Sequence, residues 1–185
     1  MMKKLPSITS KNLFKKQEMQ FLTTLLNTPS PTGFEYTGQQ VWMDYIRPYV
    51  DVIHTDPYGS AMAVINPDAE FKIMIEAHCD EISRYVKYIT DDGLLYVLRN
   101  GGSDHQIAPS KRVNIHTSVG VVKGVFGWPA IHTRIPGKES PPEKDNIFID
   151  VGCRTKKEVL LRGIQVGDVL TYEDECMVLN DRYIV

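Results

Sequence analysis

The spacing of apolar residues changes period along this chain, and that change limits its possible folds more than any other feature. Phe14, Glu18, Phe21, Leu22, Leu25 and Leu26 lie close to the i, i+3, i+4, i+7 positions of one helical face. Asn12 serves as the expected N-cap, and Pro29 ends the helix because a residue before proline is pushed out of the α region. After a turn over Pro29–Gly33, a second helix is expected from about Phe34 to Arg47, closed by Pro48. The period then shortens. Val50–Thr55, Ser60–Asn66 and Phe71–Ala77 are short runs rich in Val, Ile and Met, separated by Asp56-Pro57-Tyr58-Gly59 and Pro67-Asp68, which are turn formers by fixed φ and by side-chain bonding to the backbone. Two helices followed by three strands predict a layered α/β unit.

From Ser83 the helical signal disappears. Arg84–Ile89, Leu94–Arg99, Arg112–Thr117, Val119–Phe126 and Ile147–Asp150 alternate as strands between glycine-containing turns, the pattern of a small β-barrel or sandwich. One short helix interrupts it over about Lys156–Arg162, started by the capping box Thr155-Lys156-Lys157-Glu158 and stopped by Gly163. Val169–Glu173 and Cys176–Leu179 are expected as the last two strands. The surface of this β-rich stretch is expected to include Trp128, Phe126, Ile131 and Pro129, a partly apolar set suited to self-association.

Composition removes several function classes. With 21 Lys+Arg against 23 Asp+Glu, a net charge of -2, the chain carries no electrostatic footprint for nucleic acid or an anionic membrane. Its longest uncharged apolar stretches, Ala61–Ile65 and Gly124–Ile131, fall far short of the roughly 18 residues that a spanning helix requires. Met1–Lys16 holds five lysines without an apolar run behind them, so no secretory signal is expected and the expected location is cytoplasmic. Cys79, Cys153 and Cys176 are odd in number and widely spaced, which predicts reduced and mostly buried thiols.

The residues best placed for chemistry follow the run Phe71–Ala77. His78-Cys79-Asp80-Glu81 sets an imidazole and carboxylates at the end of an expected strand, where one ring nitrogen can bind a metal while a carboxylate orients the other. The alternative is a loop histidine among solvated acids. Ser103-Asp104-His105 holds the residue types of a hydrolase triad without the strained G-x-S-x-G elbow, and His54, His116 and His132 lack metal-ligand spacing. Neither G-x-G-x-x-G nor a P-loop occurs, which leaves nucleotide chemistry unsupported. Composition alone makes Asp181 a turn acid beside Arg182.

Six ordered segments together resemble the tetrahedral aminopeptidases, the family of glutamyl and deblocking aminopeptidases that has also carried the name endoglucanase M. They are Ser30-Pro31-Thr32-Gly33-Phe34-Glu35, Asp56-Pro57-Tyr58-Gly59-Ser60, Ala77-His78-Cys79-Asp80-Glu81-Ile82, Ile149-Asp150-Val151-Gly152, Gly163-Ile164-Gln165-Val166-Gly167-Asp168 and Asn180-Asp181-Arg182. The resemblance implies an α/β fold: part of a metallo-aminopeptidase α/β/α catalytic domain, residues 1–82 and 177–185, interrupted by a β-barrel-like insertion over 83–176 that serves assembly. It also implies two divalent ions, zinc or cobalt, in the complete enzyme, with a peptide as substrate. By analogy His78 would ligate one metal, Asp80 would be the catalytic residue holding its other ring nitrogen, and Asp181 would bridge the two ions. The family pattern continues after Asp181 with a Glu-Glu pair, a further acidic ligand and a late His, whereas this sequence ends at Val185. Ser83 stands where the family usually has Gly, and Tyr183-Ile184-Val185 departs from its glycine-containing continuation. The expectation is an N-terminal portion that is inactive by itself; the alternative is a non-enzymatic assembly or regulatory module related to these peptidases.

Overall fold

The computed structural model describes residues 14–185, which fall into two compact units. One takes in the residues up to Ser30, Phe34–Cys79 and Glu175–Val185; the other takes in Pro31–Gly33 and Asp80–Asp174.

The first unit is built from α1 (Lys16–Asn27), α2 (Tyr36–Ile46) and the antiparallel hairpin β1 (Val52–Thr55) and β2 (Ala61–Val64). The expected cap Asn12 lies outside the described residues, and the observed N-terminal bond of α1 runs from the Lys15 N–H to the Glu18 carboxylate at 2.8 Å. The two helices meet through the stacked rings of Phe21 and Tyr45, whose centroids are 3.7 Å apart. A Cβ at Gly38 on α2 would overlap the Ser30 hydroxyl, so glycine there lets the Ser30–Glu35 turn close onto the helix. In the β1–β2 loop the Asp56 carboxylate accepts from the N–H groups of Tyr58 and Ser60, both at 2.9 Å. The Ser60 N–H is the chief reason this carboxyl titrates below the ordinary carboxylate value.

The expected third strand is absent. Phe71–Ala77 forms no strand, and every residue from Phe71 to Cys79 is exposed. Among the described residues this run pairs with no strand: β1 and β2 form a two-stranded sheet that it does not join, and a strand without a neighbour has no ladder hydrogen bonds to define it. Beyond it, β9 (Val178–Leu179) and β10 (Tyr183–Ile184) form a short hairpin, and the Cys176 N–H donates to the Asn27 side chain at 2.7 Å, fastening this segment to the end of α1.

The second unit resolves the choice between barrel and sandwich. Strands β3 (Ser83–Ile89), β4 (Leu95–Asn100), β5 (Arg112–Thr117), β6 (Gly120–Gly127), β7 (Phe148–Asp150) and β8 (Val169–Tyr172) close in the order β3-β4-β7-β6-β5-β8. All pairs are antiparallel. Inward residues alternate along the strands, as Val113 and Ile115 do on β5, and fill the interior with Leu95, Val97, Ile149 and Leu170. Phe126 belongs to this interior at 2% exposure, which removes it from the expected association surface. Trp128 is partly buried against the core, with the Arg134 guanidinium 3.7 Å over its ring. The helix α3 (Lys156–Leu161) starts as the capping pattern requires: the Thr155 hydroxyl accepts from the Glu158 N–H, while the Glu158 carboxylate reaches one residue further, to the Arg154 N–H at 2.8 Å. Gly163, at φ +86°, ends it. All three cysteines are free, but only Cys153 is buried; Cys176 is half-buried and Cys79 exposed. Among the described residues no helix is long and apolar enough to cross a membrane.

Candidate active site

The boundary between the two units runs through the His78–Glu81 segment, with His78 and Cys79 on one side and Asp80 and Glu81 on the other. Asp80 sits in a defined cradle of the barrel unit. Its carboxylate accepts from the Thr32 hydroxyl at 2.6 Å, and the Thr32 N–H donates to the Glu81 carbonyl at 3.4 Å within a parallel bridge between Pro31 and Glu81. Thr32 is held in turn: its carbonyl accepts from the Tyr85 hydroxyl at 2.7 Å and from the Asn100 amide at 2.9 Å. That amide also donates to the Ser83 hydroxyl at 2.8 Å, while the Ser83 carbonyl accepts from the buried Ser103 hydroxyl at 2.9 Å. Ser83 thus joins the network through both its hydroxyl and its carbonyl. Gly33, at φ +90°, completes the turn where a Cβ would stand 3.2 Å from the Tyr85 hydroxyl. Sequence reasoning assigned no role to Thr32, Tyr85 or Asn100; the Ser30–Glu35 motif pointed to the turn, but nothing in the sequence pointed to the two strand residues that hold it.

His78 is exposed, and the neighbouring Cys79 sulfur accepts from the Gln39 side chain at 3.5 Å. Asp181 lies at the tip of the β9–β10 hairpin. Asn180 and Asp181 both adopt left-handed backbones, at φ 50° and 54°, and the Arg182 N–H donates to the Leu179 carbonyl at 3.0 Å. This conformation favours Asn and Asp among residues with a side chain. One imidazole and one carboxylate are ligand types that zinc and cobalt accept. Among the described residues, however, no group of three or more His, Cys, Asp and Glu could hold a metal ion. The residues present therefore do not make a complete metal centre.

The triad-like Ser103-Asp104-His105 is committed to structure. Arg84 on β3 is fully buried, and one guanidinium nitrogen lies 2.8 Å from His105 Nδ1 while another donates to the Asp104 carbonyl at 2.8 Å. The Tyr172 hydroxyl lies 3.3 and 3.4 Å from the same group, and the Phe126 ring lies beneath it at 5.3 Å. A guanidinium has only donors, so Nδ1 must accept and His105 is the neutral Nε2–H tautomer. Burial, and then the charges of Arg84 and Arg99, hold its pKa below the ordinary histidine value. Ser103 faces Ser83 instead of His105 as a nucleophile would. His116 is another packing histidine: its Nε2 lies 3.0 Å from the Thr171 hydroxyl, and burial lowers its pKa.

Residues 59–185 match the profile of the M42 glutamyl aminopeptidase family. The chain belongs to that family. Over 155 residues it is 26% identical to the lysyl aminopeptidase of Pyrococcus furiosus, covering 82% of this chain and 44% of that protein. It is similar in structure to the TET aminopeptidase of a marine-sediment Thaumarchaeota archaeon, with a TM-score of 0.83 and 27% identity, covering 88% of this chain and 46% of the other. A third similarity, with a TM-score of 0.73 and 26% identity over 90% of this chain and 49% of the other, is to the TET1 peptidase of Pyrococcus horikoshii, which can assemble into a tetrahedron or a large octahedral shell. The chain thus spans about half the length of the relatives it matches. Its α/β architecture, interrupted by a β-barrel, is the family's fold in part.

Proposed function

We propose that this chain supplies one part of a dinuclear metal-dependent aminopeptidase that removes N-terminal residues from peptides. The carrying observation is the family match over residues 59–185, in a chain that spans 44% of a lysyl aminopeptidase relative. In this reading His78 and Asp181 are metal ligands, Asp80 orients the His78 imidazole, and Thr32 fixes the Asp80 carboxylate through its 2.6 Å hydrogen bond. The general base and the remaining ligands come from outside these residues. The pieces 1–82 and 177–185 belong to the catalytic domain, and 83–176 is the inserted domain through which copies self-associate. In this reading the protein works in the cytoplasm.

Two protein ligands leave most of a metal's coordination to water, so the 185-residue chain by itself should hold metal weakly and turn over no peptide. Aminoacyl-p-nitroanilide assays with added zinc or cobalt should show no turnover, and elemental analysis after dialysis should find well under one metal per chain. Calorimetric titration of His78→Ala and Asp181→Ala then examines the ligand assignment, because two variants that bind as the parent does would remove both residues from it. Turnover typical of an intact aminopeptidase would overturn the assignment of the base to other residues. The observation that favours a second reading, an assembly module without activity, is the barrel's complete closure. A defined oligomer by light scattering, unchanged when His78 is replaced, is the outcome it requires.

A further inference from the structure

Three polar side chains converge where β3 begins and β4 ends. Residues two apart on a strand share a face, so Ser83 and Tyr85 lie on one side of β3, opposite to Arg84. Asn100 is paired directly with Ser83 across the β3–β4 ladder. Its amide nitrogen lies 2.8 Å from the Ser83 hydroxyl and 3.2 Å from the Tyr85 hydroxyl. The Tyr85 hydroxyl and the Asn100 amide both donate to the Thr32 carbonyl, at 2.7 and 2.9 Å. A carbonyl oxygen has two lone pairs, so these two donors fill it. With the Thr32 N–H donating to the Glu81 carbonyl, both backbone polar groups of Thr32 are held within the barrel unit.

Thr32 is exposed, and an exposed hydrogen bond orients its acceptor only weakly when the donor is free to turn. Here the donor is not free. Threonine is β-branched and stiff at χ1, so a fixed backbone fixes the direction of its hydroxyl, which donates to the Asp80 carboxylate at 2.6 Å. We infer that Tyr85 and Asn100 are positioning residues for Asp80: they clamp the Thr32 carbonyl, and the hydroxyl so aimed selects one orientation of the Asp80 carboxylate. Asparagine suits position 100 because its amide has two donors and no charge, one for Thr32 and one for Ser83. An aspartate there would set an anionic acceptor against the Thr32 carbonyl. This role rests on the proposed function, in which Asp80 orients an imidazole, and it gives the strands of the inserted domain a part in the site beyond assembly.

The Asp80 rotamer can be read on the whole, isotopically labelled 185-residue chain from the three-bond NMR couplings of its carboxyl carbon to the backbone nitrogen and carbonyl carbon. When nothing selects among them, the three staggered χ1 wells hold about a third of the population each. The parent chain should instead fill one well to about nine-tenths. Thr32→Val keeps the branched shape without the hydroxyl and should bring that population towards about a third, while Asn100→Asp and Tyr85→Phe should each lower it to about half. Ser103→Ala is the control for a merely structural role: it loses the buried bond to the Ser83 carbonyl but no donor to Thr32, so it should lower barrel stability and leave the Asp80 couplings unchanged. Denaturant unfolding shows which variants are folded, and Tyr85→Phe, which keeps its ring, decides the matter if Asn100→Asp does not fold. Averaged couplings in the parent would overturn the inference. So would an Asp80 that stays fixed in every folded variant at 85 and 100, or one released as fully by Ser103→Ala. Failure of the proposed function is read separately, since metal titrations in which His78→Ala and Asp181→Ala both behave as the parent does would remove the ligand assignment and leave these couplings as they are.

Discussion

The two units of this molecule solve the same problem with different completeness. In the barrel every strand has two neighbours, and even a guanidinium can be taken fully out of water because a ring nitrogen, a carbonyl and a hydroxyl lie within reach. In the helical unit α1 has no buried residue, β1 and β2 have only each other, and Phe71, Ile73, Met74 and Ile75 stand exposed. Both segments carry the alternation and the β-branched residues of strands, so propensity does not separate them. What differs is whether the hydrogen-bond partners are within the chain. Closure supplies them for the barrel, whereas among the described residues Phe71–Ala77 enters no ladder.

That contrast predicts unequal responses to mutation, and the two tryptophans allow them to be read separately: Trp128 lies in the barrel unit and Trp42 in the other. The largest effect should come from Arg84→Ala. It removes a side chain with 0% exposure, leaving a cavity, and strips a partner from the part-buried His105 Nδ1 and Asp104 carbonyl, each loss costing about 1–3 kcal/mol where water does not replace the guanidinium. Denaturant unfolding followed by Trp128 fluorescence in a Trp42→Phe background should show a loss of at least about 3 kcal/mol. A loss below about 1 kcal/mol would mean that the barrel repacks without its buried charge, and that closure alone accounts for the contrast.

The barrel was legible in the sequence because its information is local. Its six strands start and stop within a residue or two of the expected runs, and the acids of two of the quoted segments act on their own turns. Asp150 accepts from the Gly152 N–H at 2.7 Å, and Asp168 from the Gln165 N–H at 2.8 Å. The misses are non-local. A short run rich in Ile and Met after a turn predicted a strand at Phe71–Ala77, but composition cannot report whether a partner strand exists. Phe126 was expected on a partly apolar association surface, whereas β6 turns it inward under Arg84. The cradle of Asp80 joins Thr32 to Tyr85 and Asn100, 53 and 68 positions away, and no spacing rule connects them. His78 and Asp80 were singled out by their place after the run Phe71–Ala77 and Asp181 by family resemblance, and the cradle supplies a physical reason for only one of them, Asp80.

A second, smaller effect sharpens the comparison by pH. His105 and His116 both belong to the barrel unit, and both titrate below the ordinary value, His105 through burial and the charges of Arg84 and Arg99, and His116 through burial. Asp104 and Glu143 act on His105 in the opposite sense. A histidine whose folded pKa is depressed binds fewer protons folded than unfolded, so stability rises with pH across that interval. The contribution is complete above the unfolded value of about 6.5 and is lost as pH falls from there through the folded value. Trp128-monitored stability should therefore decline below about pH 6.5, and the decline should weaken in His105→Gln, which keeps a side-chain acceptor for Arg84. An unchanged slope in a His105→Gln, His116→Gln double variant would assign the pH response to other groups.

The smallest expected effect carries the comparison's other half. Ile75 is 94% exposed, so Ile75→Ala gives up almost no burial and opens no cavity, and its cost to the chain alone should lie within about 0.5 kcal/mol. The same truncation at Ile149, buried between β4 and β6, should cost about 2–5 kcal/mol. Both are read by unfolding, Ile149→Ala through Trp128 and Ile75→Ala through Trp42 in a Trp128→Phe background. If Ile75→Ala instead costs as much as a core truncation, the run is already packed in the isolated chain. The difference between the units would then lie in how their strands are paired, and no longer in whether they are.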